Sequence, residues 1–142
     1  MEMQLGLLAD SAHIDANGKL YILGEFRYVM ARDVPTLQQA TMIARLVADK
    51  VELKSLAAKL QVEIVDQDGN SVMPRSPDMP IQFSEIGPAS RGKIEAVVIV
   101  QFNGLPCPAL GDFRIHLFVD GRAVGTGIPY HVMQAPSPQG QQ

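Results

Sequence analysis

Short runs in which every second residue is apolar, each closed by a turn dipeptide, constrain this chain more than any other feature. Asn17-Gly18, Asp68-Gly69 and Asp120-Gly121 punctuate it, and the apolar alternation resumes after each. An extended backbone sends successive side chains to opposite faces, so such a run buries one face of a strand. Asn-Gly and Asp-Gly accept the positive φ angles of a tight reversal. Strands at this spacing, without helical runs between them, predict a sandwich or barrel rather than alternating strands and helices.

In chain order, Met3, Leu5, Leu7 and Ala9 alternate with Gln4, Gly6 and Leu8, which predicts a first strand with the former set inward. Leu20, Ile22, Phe26 and Tyr28 line one face of the next, and Gly24 marks a bulge or a close crossing. Residues 41–48 form a third strand, with Met42, Ala44, Leu46 and Ala48 opposite Thr41, Ile43, Arg45 and Val47. Asp49 with Glu52 matches a capping box, so a helical turn is expected there. Ala58, Leu60, Val62 and Ile64 alternate with Lys59, Gln61, Glu63 and Val65 in a half-exposed strand. Pro74, Pro77 and Pro80 place the next segment on an edge or in an open connection, because proline donates no ladder hydrogen bond. A short strand over residues 81–84 follows. Residues 96–100 are apolar on both faces and predict a central strand, or one lying in a subunit contact. Phe113, Ile115, Leu117 and Val119 face one way in a closing hairpin whose return strand covers residues 123–132.

The fold class is therefore all-β: an antiparallel two-sheet sandwich of about seven or eight strands, immunoglobulin-like or C2-like, with at most one or two short helical turns. With 142 residues, the chain reads as a single domain over residues 1–133 and a flexible C-terminal tail over residues 134–142.

A net charge of −3 leaves no cationic field for a phosphate backbone; the basic cluster Arg91, Lys93 and Arg114 is too thin, so no nucleic acid is expected as a partner. The first eight residues lack the basic start and long apolar core of a signal peptide. The longest apolar run, residues 96–100, falls far short of the ~20 residues of a membrane helix, so no membrane contact is expected. A lone cysteine, Cys107, forms no internal disulfide, and the expected setting is a reducing cytoplasm.

Three stretches, "LGLLADSAHIDANGKLYILGEF", "LQVEIVDQDGN" and "LGDFRIHLFVDGRAVGTGIPYHV", together resemble a family of small bacterial and phage-associated β-sandwich proteins of unknown function. The matching residues are Leu7, Leu8, Ala9 and Asp10, then Gly18, Gly24 and Phe26, then Gly111, Phe113, Ile115, Leu117, Val119, Asp120 and Gly121. The resemblance implies a fold and a bacterial or phage setting, and carries no catalytic residue across. Phe113 stands where that pattern often has tyrosine, so a phenol hydrogen bond from this position is absent.

Asp66, Asp68 and Asn70 offer oxygen ligands of the kind calcium takes, yet Gly69 falls between the second and third of them, unlike an EF-hand loop, and a hairpin turn explains the same residues. His13, His116, His131 and Cys107 are zinc-type ligands with no ligand spacing among them. Cys107 sits between Pro106 and Pro108 with no nucleophile motif, and Gly125 to Gly127 lie inside a hairpin rather than in a phosphate loop. No tryptophan and only three tyrosines argue against an aromatic sugar platform. No catalytic residue and no cofactor is assigned.

What remains is a contact surface. Val97 and Ile99 project opposite to Ala96, Val98 and Val100, while His116 and Phe118 share a strand face with Arg114; these four, Val97, Ile99, His116 and Phe118, are the expected interface residues. The expected function is a non-enzymatic interaction or structural module, self-associating through a sheet face or edge strand or meeting a protein partner. The alternatives are a small-ligand domain, for a sugar or metal ion, around residues 74–80, and a hydrolase of unfamiliar type.

Overall fold

The computed structural model describes residues 1–87 and 91–136. Its described residues form eleven strands: β1 Glu2–Ile14, β2 Leu20–Phe26, β3 Tyr28–Ala31, β4 Thr36–Asp49, β5 Ala57–Asp66, β6 Ser71–Met73, β7 Met79–Gln82, β8 Ser84–Glu85, β9 Lys93–Cys107, β10 Gly111–Val119 and β11 Arg122–Gln134. They build two sheets, the first in the order β2-β1-β4-β9-β8, the second in the order β3-β11-β10-β5-β6 with β7 also on β5. The all-β two-sheet sandwich is as expected. Seven strands have seven or more residues, which matches the expected number; β3, β6, β7 and β8 are short pieces at sheet margins.

Burial follows the period-two reading in most strands. Met42, Ala44, Leu46 and Ala48 meet Ala58, Leu60, Val62, Ile64, Phe113, Ile115, Leu117 and Val119 in one core between the sheets. Among the described residues the single helical turn is the 3-10 segment Lys50–Glu52, where Glu52 Oε2 accepts the Asp49 N–H at 2.7 Å. The Asp49 carboxylate itself reaches Lys93 Nζ at 2.8 Å.

Four expectations change. In β1 the register shifts between Met3 and Leu5, which turns Met3 and Leu8 toward the core and leaves Leu5, Leu7 and Ala9 outside it. Tyr28 does not share a face with Leu20, Ile22 and Phe26: the chain leaves the first sheet after Phe26 and enters the second at Tyr28, 62% exposed. Because the chain crosses in a single residue, β3 runs on beside β11 as a parallel pair, the exception in an otherwise antiparallel sandwich. Finally, the middle of the first sheet is β4 rather than residues 96–100. β9 pairs with β4 along its length, while β8 covers it only at Ile94 and Glu95. Both strands are apolar on two faces because the outside of this sheet is itself an apolar surface.

Residues 79–85 cross between the layers as residues 26–28 do. β7 lies on β5 in the second sheet and β8 on β9 in the first, and Phe83 between them is buried, its N–H donating to Leu56 O at 2.8 Å. The proline segment runs along the β5 edge as expected, held where the Ser76 N–H donates to Val62 O at 2.8 Å and Ser76 Oγ accepts the Val62 N–H at 3.0 Å. At the C-terminal end β11 continues to Gln134, and the Ala135 N–H donates to Ala31 O at 2.7 Å. The expected flexible tail falls largely on residues 137–142, outside the described residues.

Candidate functional site

The outer face of the first sheet is built by register. Leu7 on β1, Ile43 on β4 and Ile99 on β9 stand side by side in one row, and Leu5, Arg45 and Val97 in the next. Ile43 is fully buried, yet it lies outside the core between the sheets, with Leu7 and Ile99 flanking it in register. Ala9 and Val47 are buried on this face in the same way. The patch extends over edge strand β2, where Leu23 is 70% exposed and Tyr21 stacks on His13 with ring centroids 5.0 Å apart. Monomer surfaces seldom carry a contiguous apolar area of this kind without a use for it.

Arg45 carries a buried donor on this face that is left unpaired. Its Nε lies buried between the apolar neighbours without a hydrogen-bond acceptor. A buried donor left unpaired costs about 1–3 kcal/mol, so native structures rarely keep one. Glu25, opposite Ala9, and Glu95, opposite Val47, project from the same face.

The four expected interface residues do not form one patch. Val97 and Ile99 belong to this face, whereas His116 and Phe118 lie on the outside of the second sheet, beside Glu63 and Gln61 of β5. Phe118 is already occupied, with the Arg75 guanidinium 3.7 Å above its ring. Reading the chain strand by strand missed Leu5, Leu7, Ile43, Arg45 and Leu23. The signal for two of them, Ile43 and Arg45, was present: residues 41–48 are largely apolar on both sides just as residues 96–100 are.

The turn over residues 66–70 uses its polar atoms internally. Asp66 Oδ1 accepts the N–H groups of Asp68 and Asn70, both at 2.9 Å, and the Gly69 N–H donates to Asp66 O at 3.0 Å. Asp66, Asp68 and Asn70 thus build a hairpin turn. The zinc-type ligands are scattered: His13 is on the first sheet, His116 and His131 on the outside of the second, and Cys107 is buried in the core. Gly125 to Gly127 form a bulge, since β11 places three residues between Val124 and Ile128 where β10 places one between Ile115 and Leu117.

Beside Cys107 the interior holds one hydroxyl of consequence. Tyr130 stacks on Phe113 with centroids 5.3 Å apart and donates to Pro106 O at 2.7 Å. A phenol is therefore present in this pair, on the partner of Phe113 rather than at Phe113 itself. Burial, with Cys107 as the lesser cause, pushes the Tyr130 phenol above its ordinary range, and burial pushes the Cys107 thiol up as well. The unfolded thiol and phenol ionise near ~8.5 and ~10, and both folded values lie higher, so folding favours the protonated forms. Their contribution is whole below those pH values and is lost as pH rises through the folded ones. In urea titrations between pH 7 and 11, stability is expected to fall above about pH 9. Tyr130→Phe should flatten the part of the fall above about pH 10, at a cost of about 1 kcal/mol at pH 7 from the lost bond. An unchanged profile in that variant would remove Tyr130 from the account.

Over residues 4–133 the sequence matches the family of unknown function DUF6941. The chain belongs to this family. No curated protein matches it. Among solved structures, the crystal structure of the Lin-41 filamin domain aligns over 78% of this chain and 86% of its own length, at 12% identity and a TM-score of 0.35. No helix among the described residues is long and apolar enough to cross a membrane.

Proposed function

We propose that this family member is a non-enzymatic interaction module that associates with a second copy of itself through the outer face of the first sheet. The reading rests on the unpaired Arg45 Nε buried amid an apolar face. A second copy across a twofold axis presents the same apolar rows together with Glu25 and Glu95, so Arg45 of each copy can meet a carboxylate of the other. The setting that goes with this reading is bacterial or phage-associated, and cytoplasmic. The small-ligand alternative gains no support from residues 74–78, which are tied to the β5 edge.

Sedimentation velocity over a concentration series tests it. The unmodified chain is expected to shift from monomer to dimer as concentration rises. Leu23→Lys and Ile99→Lys should each raise the dimer dissociation constant at least about tenfold, the effect of losing roughly 1.4 kcal/mol from the contact. Phe118→Lys, on the opposite face, should leave it unchanged. A chain that stays monomeric throughout, or that dimerises equally well with lysine at positions 23 and 99, would refute the proposal.

A further inference from the structure

On the outside of the second sheet we infer a binding site for a soft monovalent cation, copper(I), formed by the thioethers of Met30 and Met133 and the imidazole of His131. Edge strand β3 runs parallel to β11 with Tyr28 beside His131 and Met30 directly beside Met133. Val29 and Val132 between them point into the core, so these four side chains all point outward. Neighbouring strands lie ~4.8 Å apart, and a methionine sulfur is three bonds beyond its Cα, so two cross-strand thioethers can converge on one ion. His131 sits two residues before Met133 on the same face.

Three features favour a metal over a plain apolar contact. First, Met30 and Met133 are 48% and 39% exposed, although thioethers of this kind normally fill gaps in a core. Second, the His131 ring is held: its Nδ1 lies 2.6 Å from Asp112 Oδ1, which directs Nε2 to any other ligand. A carboxylate fixing one nitrogen of an imidazole while the other binds metal is the usual outer support of a histidine ligand. Third, the Tyr28 ring stands edge-on to His131 at 6.1 Å, and the two rings with Arg27, Pro129 and Met133 line a surface cleft of about 430 Å³, while Met30 lines the neighbouring cleft that shares Tyr28. The donor set also selects its ion. Two thioethers and one imidazole suit copper(I) and its d10 analogue silver(I), whereas zinc and calcium need thiolate, carboxylate or further imidazole ligands. No group of three His, Cys, Asp or Glu side chains that could hold those harder ions occurs among the described residues.

The test is a silver(I) titration of the full chain carrying 13C-methyl methionine, followed by anaerobic copper(I) competition against a bathocuproine chelator. One equivalent is expected to bind, shifting the Met30 and Met133 methyl signals while that of the buried Met42 stays in place. The Met30→Leu, Met133→Leu double variant conserves side-chain volume and should keep its dichroism spectrum while losing the equivalent. Asp112→Ala should weaken affinity about tenfold by removing the acceptor that holds the ring. The inference fails if no saturable equivalent appears, if the equivalent survives in the double variant, or if other methionine signals move instead.

Discussion

Phe83→Ala is expected to lower the unfolding free energy by about 3–5 kcal/mol in urea denaturation. Phe83 is 1% exposed and stands where the chain passes from the second sheet to the first, between β7 and β8. Its backbone is fixed by the bond from its N–H to Leu56 O, and the strands on each side pair with different sheets. The ring therefore fills a gap whose walls belong to two layers already held apart by their own ladders, and neither wall can close on the cavity. A cavity that fails to collapse takes the upper part of the usual range. Leu37→Ala, at a position 67% exposed, should cost less than about 0.5 kcal/mol and serves as the control. A loss below about 1 kcal/mol at Phe83 would show that the crossing is not pinned by its side chain.

Gly127→Ala should cost at least about 2 kcal/mol, from two sources that a second variant separates. Gly127 has φ +89°, where an L side chain is strained, and a Cβ there would approach the carbonyl oxygen of Ile115 to 2.8 Å and Arg114 Cγ to 2.8 Å. The oxygen is backbone in the middle of β10 and has nowhere to move. Gly18 shares the conformation, with φ +81°, but a Cβ there meets nothing within 4 Å. Gly18→Ala thus reports the backbone strain alone, about 1–2 kcal/mol. The excess at Gly127 measures the contact, and equal losses at the two sites would mean that the bulge relaxes around the methyl group. The Arg114 Nη1 bond to Thr126 O, at 2.9 Å, spans the same bulge and argues that it is rigid.

These two positions show where local reading ends. The glycines at 125 and 127 were legible as part of a hairpin, but that they form a bulge depends on β10 pairing β11 out of step, which no short stretch encodes. Phe83 was legible only as one member of a short strand over residues 81–84. In the structure that strand is two, on different sheets, because the chain must change layers and Phe83 is the residue that does so. The inward sets of β5 and β10 were read correctly, since each is a clean alternation within one strand and one buried face suffices to orient it, whereas β4 is apolar on both faces and its alternation alone does not say which one meets the second sheet. β1, ambiguous in the same way, was misread: Leu5, Leu7 and Leu8 offer apolar residues to both faces, and the register shift beside Met3 chooses between them.

The candidate sites divide along the same line. Val97 and Ile99 were found because they project from a strand apolar on both sides. Their neighbours Leu7, Ile43 and Arg45 come from two other strands and meet them only through sheet register. The methionine and histidine cluster is further from view, since Met30 and Met133 are brought together by a parallel pairing of the two strands.

Alternation and turn chemistry, being properties of neighbouring residues, were enough to determine that this chain forms strands, where most of them reverse, and that two layers enclose its core. Which strands lie side by side, which apolar face is left outside, and which distant side chains share a surface were decided by long-range hydrogen-bond register and by the two sheet crossings. Those depend on the whole chain closing on itself, and a window of residues carries no record of it.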